Sequence, residues 1–136
     1  MKHPFLSLLL TLALLAAAAP YTRAQEPQEP NIDEIINTQI DNLSRNFKLD
    51  DVQIFFLDSI LQHNFPAMMD ELGQAKKTGA SNEETYQAIS DKWMARTDEA
   101  IERLFSEDQW ERYLKSSYGK EKKRRDKRMK ERGDIQ

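Results

Sequence analysis

The 136-residue chain contains no cysteine, which excludes a disulfide framework, a thiol nucleophile and a thiolate zinc site. Histidine is almost as scarce. His3 lies within the first 24 residues, and His63 then stands alone, so no second imidazole sits at metal-ligand spacing. Glycine and proline number only 4 and 5, too few for the many turns of an all-β chain. No glycine-rich phosphate loop, Ser/His/Asp set or zinc signature is present. Acidic pairs do occur, at Asp50-Asp51, Glu83-Glu84 and Glu107-Asp108. They sit where helices are expected to start, and complementing the helix dipole accounts for them without catalysis. With no constellation suited to chemistry, the sequence reads as a non-enzyme with no catalytic residue, cofactor or metal.

The N-terminus reads as an export signal. Lys2 gives a positive start, an apolar run extends from Phe5 to Ala19, and Pro20 breaks it. Thr22-Arg23-Ala24 then offers small residues at the −3 and −1 positions of a signal-peptidase site, so cleavage is expected after Ala24. The run is shorter than the roughly 20 residues a spanning helix needs. The expected location is the periplasm. Removing residues 1–24 leaves 112, one small domain.

Charge is unevenly spread. Residues 25–118 hold 9 Lys/Arg against 19 Asp/Glu, and residues 119–136 hold 9 against 4. An acidic body thus carries a basic tail. Export argues against nucleic acid as its partner. The tail reads as a solvated extension, a contact for anionic lipid, or an arm docking on another copy's acidic body. It is expected as a helical extension or a disordered segment, with no face able to pack on a core.

Caps and apolar stripes predict four helices. Residues 25–30 form a polar, proline-containing leader. Asn31 with Glu34 starts a helix over about 32–46, with Ile32, Ile35, Ile36, Ile40, Leu43 and Phe47 on one face. Asp50 with Gln53 forms a capping box, and Leu49 with Ile54 a hydrophobic staple around it, opening a second helix over about 51–77. Its main stripe is Ile54, Leu57, Leu61, Phe65, Met68, Leu72 and Ala75, and Pro66 predicts a kink. Gly79 should end it in a left-handed conformation. Ser81 with Glu84 opens the third helix, about 82–104, whose stripe includes Tyr86, Ile89, Trp93, Thr97, Ile101 and Leu104. Ser106 with Gln109 opens the fourth, with Trp110, Tyr113, Leu114 and Tyr118 on one face. The predicted fold is all-α, built of antiparallel α-hairpins. Its domains are the signal (1–24), the leader (25–30), a helical domain (31–118) and the basic tail (119–136).

The two boxes, Leu49-Asp50-Asp51-Val52-Gln53 and Phe105-Ser106-Glu107-Asp108-Gln109, fit a loosened L-T-x-x-Q pattern. Two such motifs in a signal-bearing, cysteine-free helical chain resemble the periplasmic Spy/CpxP family over about residues 31–118. Asp50 and Ser106 stand where Thr is usual, and Phe105 replaces Leu; capping chemistry accepts each. The resemblance implies a curved, antiparallel helical homodimer. It implies ATP-independent, chaperone-like binding of unfolded envelope proteins, or docking on an envelope-stress sensor. The motif residues would be structural.

A second apolar face on the predicted second helix, with Val52, Phe55, Phe56 and Ile60, carries the functional reading. Such a face is a core surface, a dimer interface or a client-binding patch. Met68 falls on the main stripe and reads as core, whereas Met69 falls off it, and a pliable thioether suits varied partners. The candidate client or dimer contacts are therefore Phe55, Phe56, Ile60 and Met69. The competing expectations are a regulator docking on a sensor domain and a structural envelope protein held on anionic membrane by its tail.

Overall fold

The computed structural model describes residues 31–80 and 82–136. The expected signal, the polar leader and Ser81, the expected cap of the third helix, lie outside them. Five α-helices follow in order, with no strand among the described residues: α1 (Ile32–Phe47), α2 (Asp51–Lys77), α3 (Glu83–Leu104), α4 (Glu107–Lys115) and α5 (Ser117–Arg132). The described residues are all-α as expected, with five helices where the sequence pattern predicts four.

The starts follow capping chemistry. The Asn31 side chain accepts the Asp33 and Glu34 N–H groups at 3.1 and 3.4 Å, satisfying donors that no helical turn precedes. Complete capping boxes open α2 at Asp50/Gln53 and α4 at Ser106/Gln109. At α3 the cap is Asn82, whose Oδ1 accepts the Thr85 N–H at 2.7 Å. Proline lacks the N–H that would bond to the Gln62 carbonyl, yet α2 continues through Pro66 to Lys77. Gly79 follows in the expected left-handed region, at φ 75°.

The core gathers Ile36, Leu43 and Phe47 of α1, Leu57 and Leu61 of α2, Ile101 of α3 and Tyr113 of α4, with Leu49 and Phe105 from the connections. In its aromatic part three rings surround Phe47. Its ring lies 5.6 Å from both Phe105 and Tyr113, and 6.0 Å from Tyr118. Between α2 and α3, Gln53 donates to the Leu104 carbonyl, Asn64 to Thr97 Oγ1, and Trp93 Nε1 to Glu71. Partner numbers fall along α3 as they rise along α2.

The fourth predicted helix is two. The Ser116 N–H and hydroxyl both donate to the Tyr113 carbonyl, at 3.1 and 2.6 Å, and its Oγ accepts the Tyr118 N–H at 3.2 Å. Ser116 thus closes α4 and opens α5. The break permits a close approach at Gly119, where a Cβ would fall 2.0 Å from the Leu114 carbonyl oxygen. Only glycine fits there without displacing backbone. Tyr118 consequently leaves the α4 face assigned to it and starts α5, its ring stacked on Tyr113 at 5.5 Å.

The expectation that no face of the basic segment packs on a core is corrected. Arg125 and Met129 are buried, Arg125 with 7% of its surface exposed. α5 lies along α3, held by ion pairs of Arg125 with Asp98 and of Arg128 and Arg132 with Asp91. α5 begins at Ser117 and runs to Arg132, across residue 118. The physical reason is that a charged face packs when a buried opposite charge meets it.

Candidate functional site

Two polar constructions fix the frame that presents the candidate surface. The first joins the two capping boxes. Each glutamine side-chain oxygen accepts its own cap's N–H, Asp50 for Gln53 and Ser106 for Gln109, at 3.1 and 2.9 Å. The two amides then bond each other reciprocally: Gln53 Nε2 to Gln109 Oε1 at 2.7 Å, and Gln109 Nε2 to Gln53 Oε1 at 3.1 Å. Their remaining donor capacity goes to helix ends, Gln53 to the Leu104 carbonyl and Gln109 to the Phe47 carbonyl. Arg112 also donates to the Phe47 carbonyl. The two boxes are more than local caps. In space they form one clasp that ties the starts of α2 and α4 to the ends of α1 and α3.

The second construction holds α5. Arg128 grips Asp91 with two hydrogen bonds, Nη2 to Oδ1 at 2.7 Å and Nε to Oδ2 at 3.1 Å, and Arg132 Nη2 adds a third at 2.9 Å. Burial alone would raise the Asp91 carboxyl. The hydrogen bonds and charge of Arg128 and Arg132 outweigh it and hold the group below the usual carboxylate range. One turn pair further along α3, Asp98 receives Arg125 and the Tyr113 hydroxyl, the latter at 2.7 Å. Burial, with the adjacent Asp98 carboxylate, pushes the Tyr113 phenol far above its ordinary value. Nearer the far end of α2, Glu71 takes hydrogen bonds from Lys92 at 2.6 Å and Trp93 at 2.7 Å, which lower its carboxyl.

Against this frame, α2 turns an unpartnered face outward. Phe55 is 66% exposed and Phe56 49%, with Val52 exposed beside them. The two rings meet edge to face at 5.5 Å, and among the described residues no other helix covers them. Ile60 is half-buried at the margin. Met69 is exposed but separate: fourteen residues along α2 from Phe55, it lies about 21 Å away at helical rise. It borders a different feature, a groove of about 850 Å³ whose apolar lining includes Ile32, Leu72 and Tyr86, and whose charged lining includes Lys76, Glu83 and Arg128. The four candidate contacts therefore form an aromatic patch with Ile60 at its edge and a distinct groove holding Met69. Met68 is half-buried on the packed side.

Sequence reasoning missed the roles of Asp91, Asp98, Arg125 and Arg128. A signal was available. Asp91 and Asp98 are seven apart, roughly 150° around the helix from Trp93 at 100° per residue, and Arg125 and Arg132 share the same spacing. Matched charges two turns apart on two helices predict docking.

Among the described residues, no group of three or more His, Cys, Asp or Glu side chains is placed to hold a metal ion, and no helix is long and apolar enough to cross a membrane. The arrangement can do what exposed aromatic surface does: bury apolar groups of another molecule. No protein-family model, curated protein or solved structure matches this chain.

Proposed function

We propose that the protein is an ATP-independent, chaperone-like binder of unfolded envelope proteins, acting in the periplasm. The observation that carries this reading is the Phe55–Phe56 pair, exposed on α2 with no other helix over it among the described residues. Exposed aromatic surface of this kind is costly in water unless a partner covers it for part of its life. The surrounding surface is acidic, which attracts basic clients at long range and leaves them loosely held once apolar groups meet.

The proposed architecture is that of antiparallel α-hairpins assembled as an L-T-x-x-Q-type homodimer. The contacts that descend along α3 as they climb α2 support the hairpin. The reciprocal Gln53–Gln109 clasp gives the two motifs one shared structural purpose, which supports the family resemblance. The same aromatic pair also favours a second reading, in which Phe55 and Phe56 are covered by another copy.

The test titrates residues 25–136 against a chemically unfolded client, without nucleotide, while light scattering is followed. Suppression near stoichiometric amounts, lost in a Phe55→Ser/Phe56→Ser variant that keeps its helicity, is the expected result. Sedimentation of both proteins separates the readings: a dimer that falls apart in the double variant assigns the pair to self-association. No suppression by the well-folded chain overturns the chaperone reading and favours docking on a sensor domain.

A further inference from the structure

Of the nine basic residues of 119–136, Lys122 is half-buried and pairs with Asp126 within α5, and the fold divides the other eight into two sets. Around α5, Arg125, Arg128 and Arg132 turn toward α3 and are engaged by Asp98 and Asp91. Lys120, Lys123, Arg124, Lys127 and Lys130 are all exposed. At 100° per residue these five fall within an arc of roughly 120° centred on Lys127, opposite Arg125 and Met129. Among the described residues, Lys120, Lys123 and Lys130 have no ion-pair partner. Arg124 and Lys127 pair only within the helix, with Glu121 and Glu131.

We propose that this outer face of α5 seats the protein on an anionic lipid surface, by charge and without insertion. The division by residue type supports it. Arginine, with its planar fork, is placed where carboxylates are gripped in fixed geometry. Lysine, a hydrated point charge on a flexible stem, dominates the outer arc, where a diffuse sheet of headgroups asks for no particular geometry. The face is about 24 Å long over 16 residues. It carries no aromatic or large aliphatic side chain, so nothing on it enters the hydrocarbon. A second copy is a poorer occupant. Eight exposed acids on the body gather in pairs at helix starts, Asp33-Glu34, Asp50-Asp51, Glu83-Glu84 and Glu107-Asp108, and the other five, Asp41, Asp70, Glu99, Glu102 and Glu111, are spread over four helices, so no helix carries an acidic row as long as the basic one. The net acidity of the body also orients the molecule, since an anionic surface attracts the basic face and on balance repels the rest. This inference stands independently of the client reading, which concerns α2.

The test is flotation of residues 25–136, which contain the whole described fold, with vesicles of phosphatidylcholine alone or mixed with phosphatidylglycerol. Binding is expected to the mixed vesicles only, at low salt, with release at high salt. Each lysine contributes about fivefold to partitioning near such a surface. Lys120→Gln/Lys123→Gln/Lys127→Gln/Lys130→Gln should therefore lose binding by about two orders of magnitude or more while its melting temperature is unchanged. Single Lys123→Gln and Lys130→Gln variants, each expected about fivefold weaker, keep the result readable if the quadruple variant misfolds. Phe55→Ser/Phe56→Ser should bind vesicles as the unaltered chain does; loss there moves the contact to α2 and overturns the proposal. So does absence of binding to mixed vesicles at low salt. Salt-sensitive self-association that the lysine variants abolish, without vesicle binding, assigns the stripe to a second copy instead.

Discussion

Helices α2 and α5 invert each other. The first half of α2 is apolar nearly all round, yet leaves Val52, Phe55 and Phe56 in solvent. α5 is built mostly of lysine and arginine, yet buries Arg125 and Met129. Side-chain hydropathy does not decide either outcome. The availability of a complementary surface does. Among the described residues, the other four helices leave the Val52, Phe55 and Phe56 face of α2 exposed. α3 offers α5 two buried carboxylates seven residues apart, and the arginines that match them are drawn in. An apolar face without a partner is a surface available for function; a charged face with one becomes structure.

The comparison breaks most visibly at Asp98. Asp98→Ala strands the Arg125 guanidinium in a buried position and removes the acceptor of the Tyr113 hydroxyl. Breaking one side of a buried pair costs about 3–5 kcal/mol, which should appear as a large drop in the urea midpoint. An unchanged midpoint would mean that α5 is only laid on the body. Gly119→Ala comes next, at about 1–3 kcal/mol for forced overpacking, because the new methyl meets the Leu114 carbonyl. Hydrogen exchange should quicken in α5 more than in α1.

Gln109→Ala is expected to cost about 1–2 kcal/mol, a cap together with buried hydrogen bonds. Gln53→Ala should cost less, since Gln53 is only half-buried. Because the amides bond each other, the double variant should lose less than the two single losses added, a coupling measurable by denaturant unfolding. Acid should act on the same body through Asp91. Its carboxyl is held below the usual range by Arg128 and Arg132. Its contribution is therefore complete above the ordinary carboxylate pKa and is lost as pH falls through the depressed folded value. Asp91→Asn should flatten that part of the melting-temperature profile against pH.

Much of this was legible in the chain. The capping boxes at Asp50/Gln53 and Ser106/Gln109 locate two helix starts to the residue, because the same few atoms must satisfy the same orphan N–H groups wherever a helix begins. The α2 stripe places Leu57 and Leu61 inside. What resisted reading was long-range pairing. Nothing local in Gln53 announces that Gln109 will face it, 56 residues on. The break at Ser116 depends on a serine chosen over a helix that could have continued, and Gly119 reads as an ordinary weak helix former until Leu114 is placed beside it. For the candidate contacts, residue type singled out Phe55 and Phe56, but only the surrounding helices reveal that Met69 belongs to a separate groove.

The smallest effect on stability is expected where the sequence is most apolar. Phe55→Ser/Phe56→Ser removes two rings that touch chiefly each other and water, so it deletes little buried area and opens no cavity. Unfolding free energy should stay within about 0.5 kcal/mol of the unaltered chain, the reverse of what two phenylalanines cost when they are core. The unfolded chain exposes the same rings, so little solvation is gained or lost between the two states. If client protection disappears at that unchanged stability, the aromatic pair acts between molecules and α2 is the working face. If stability falls by several kcal/mol instead, the rings are held by contacts that another copy supplies, and the outer face of α2 is a dimer core divided between two chains.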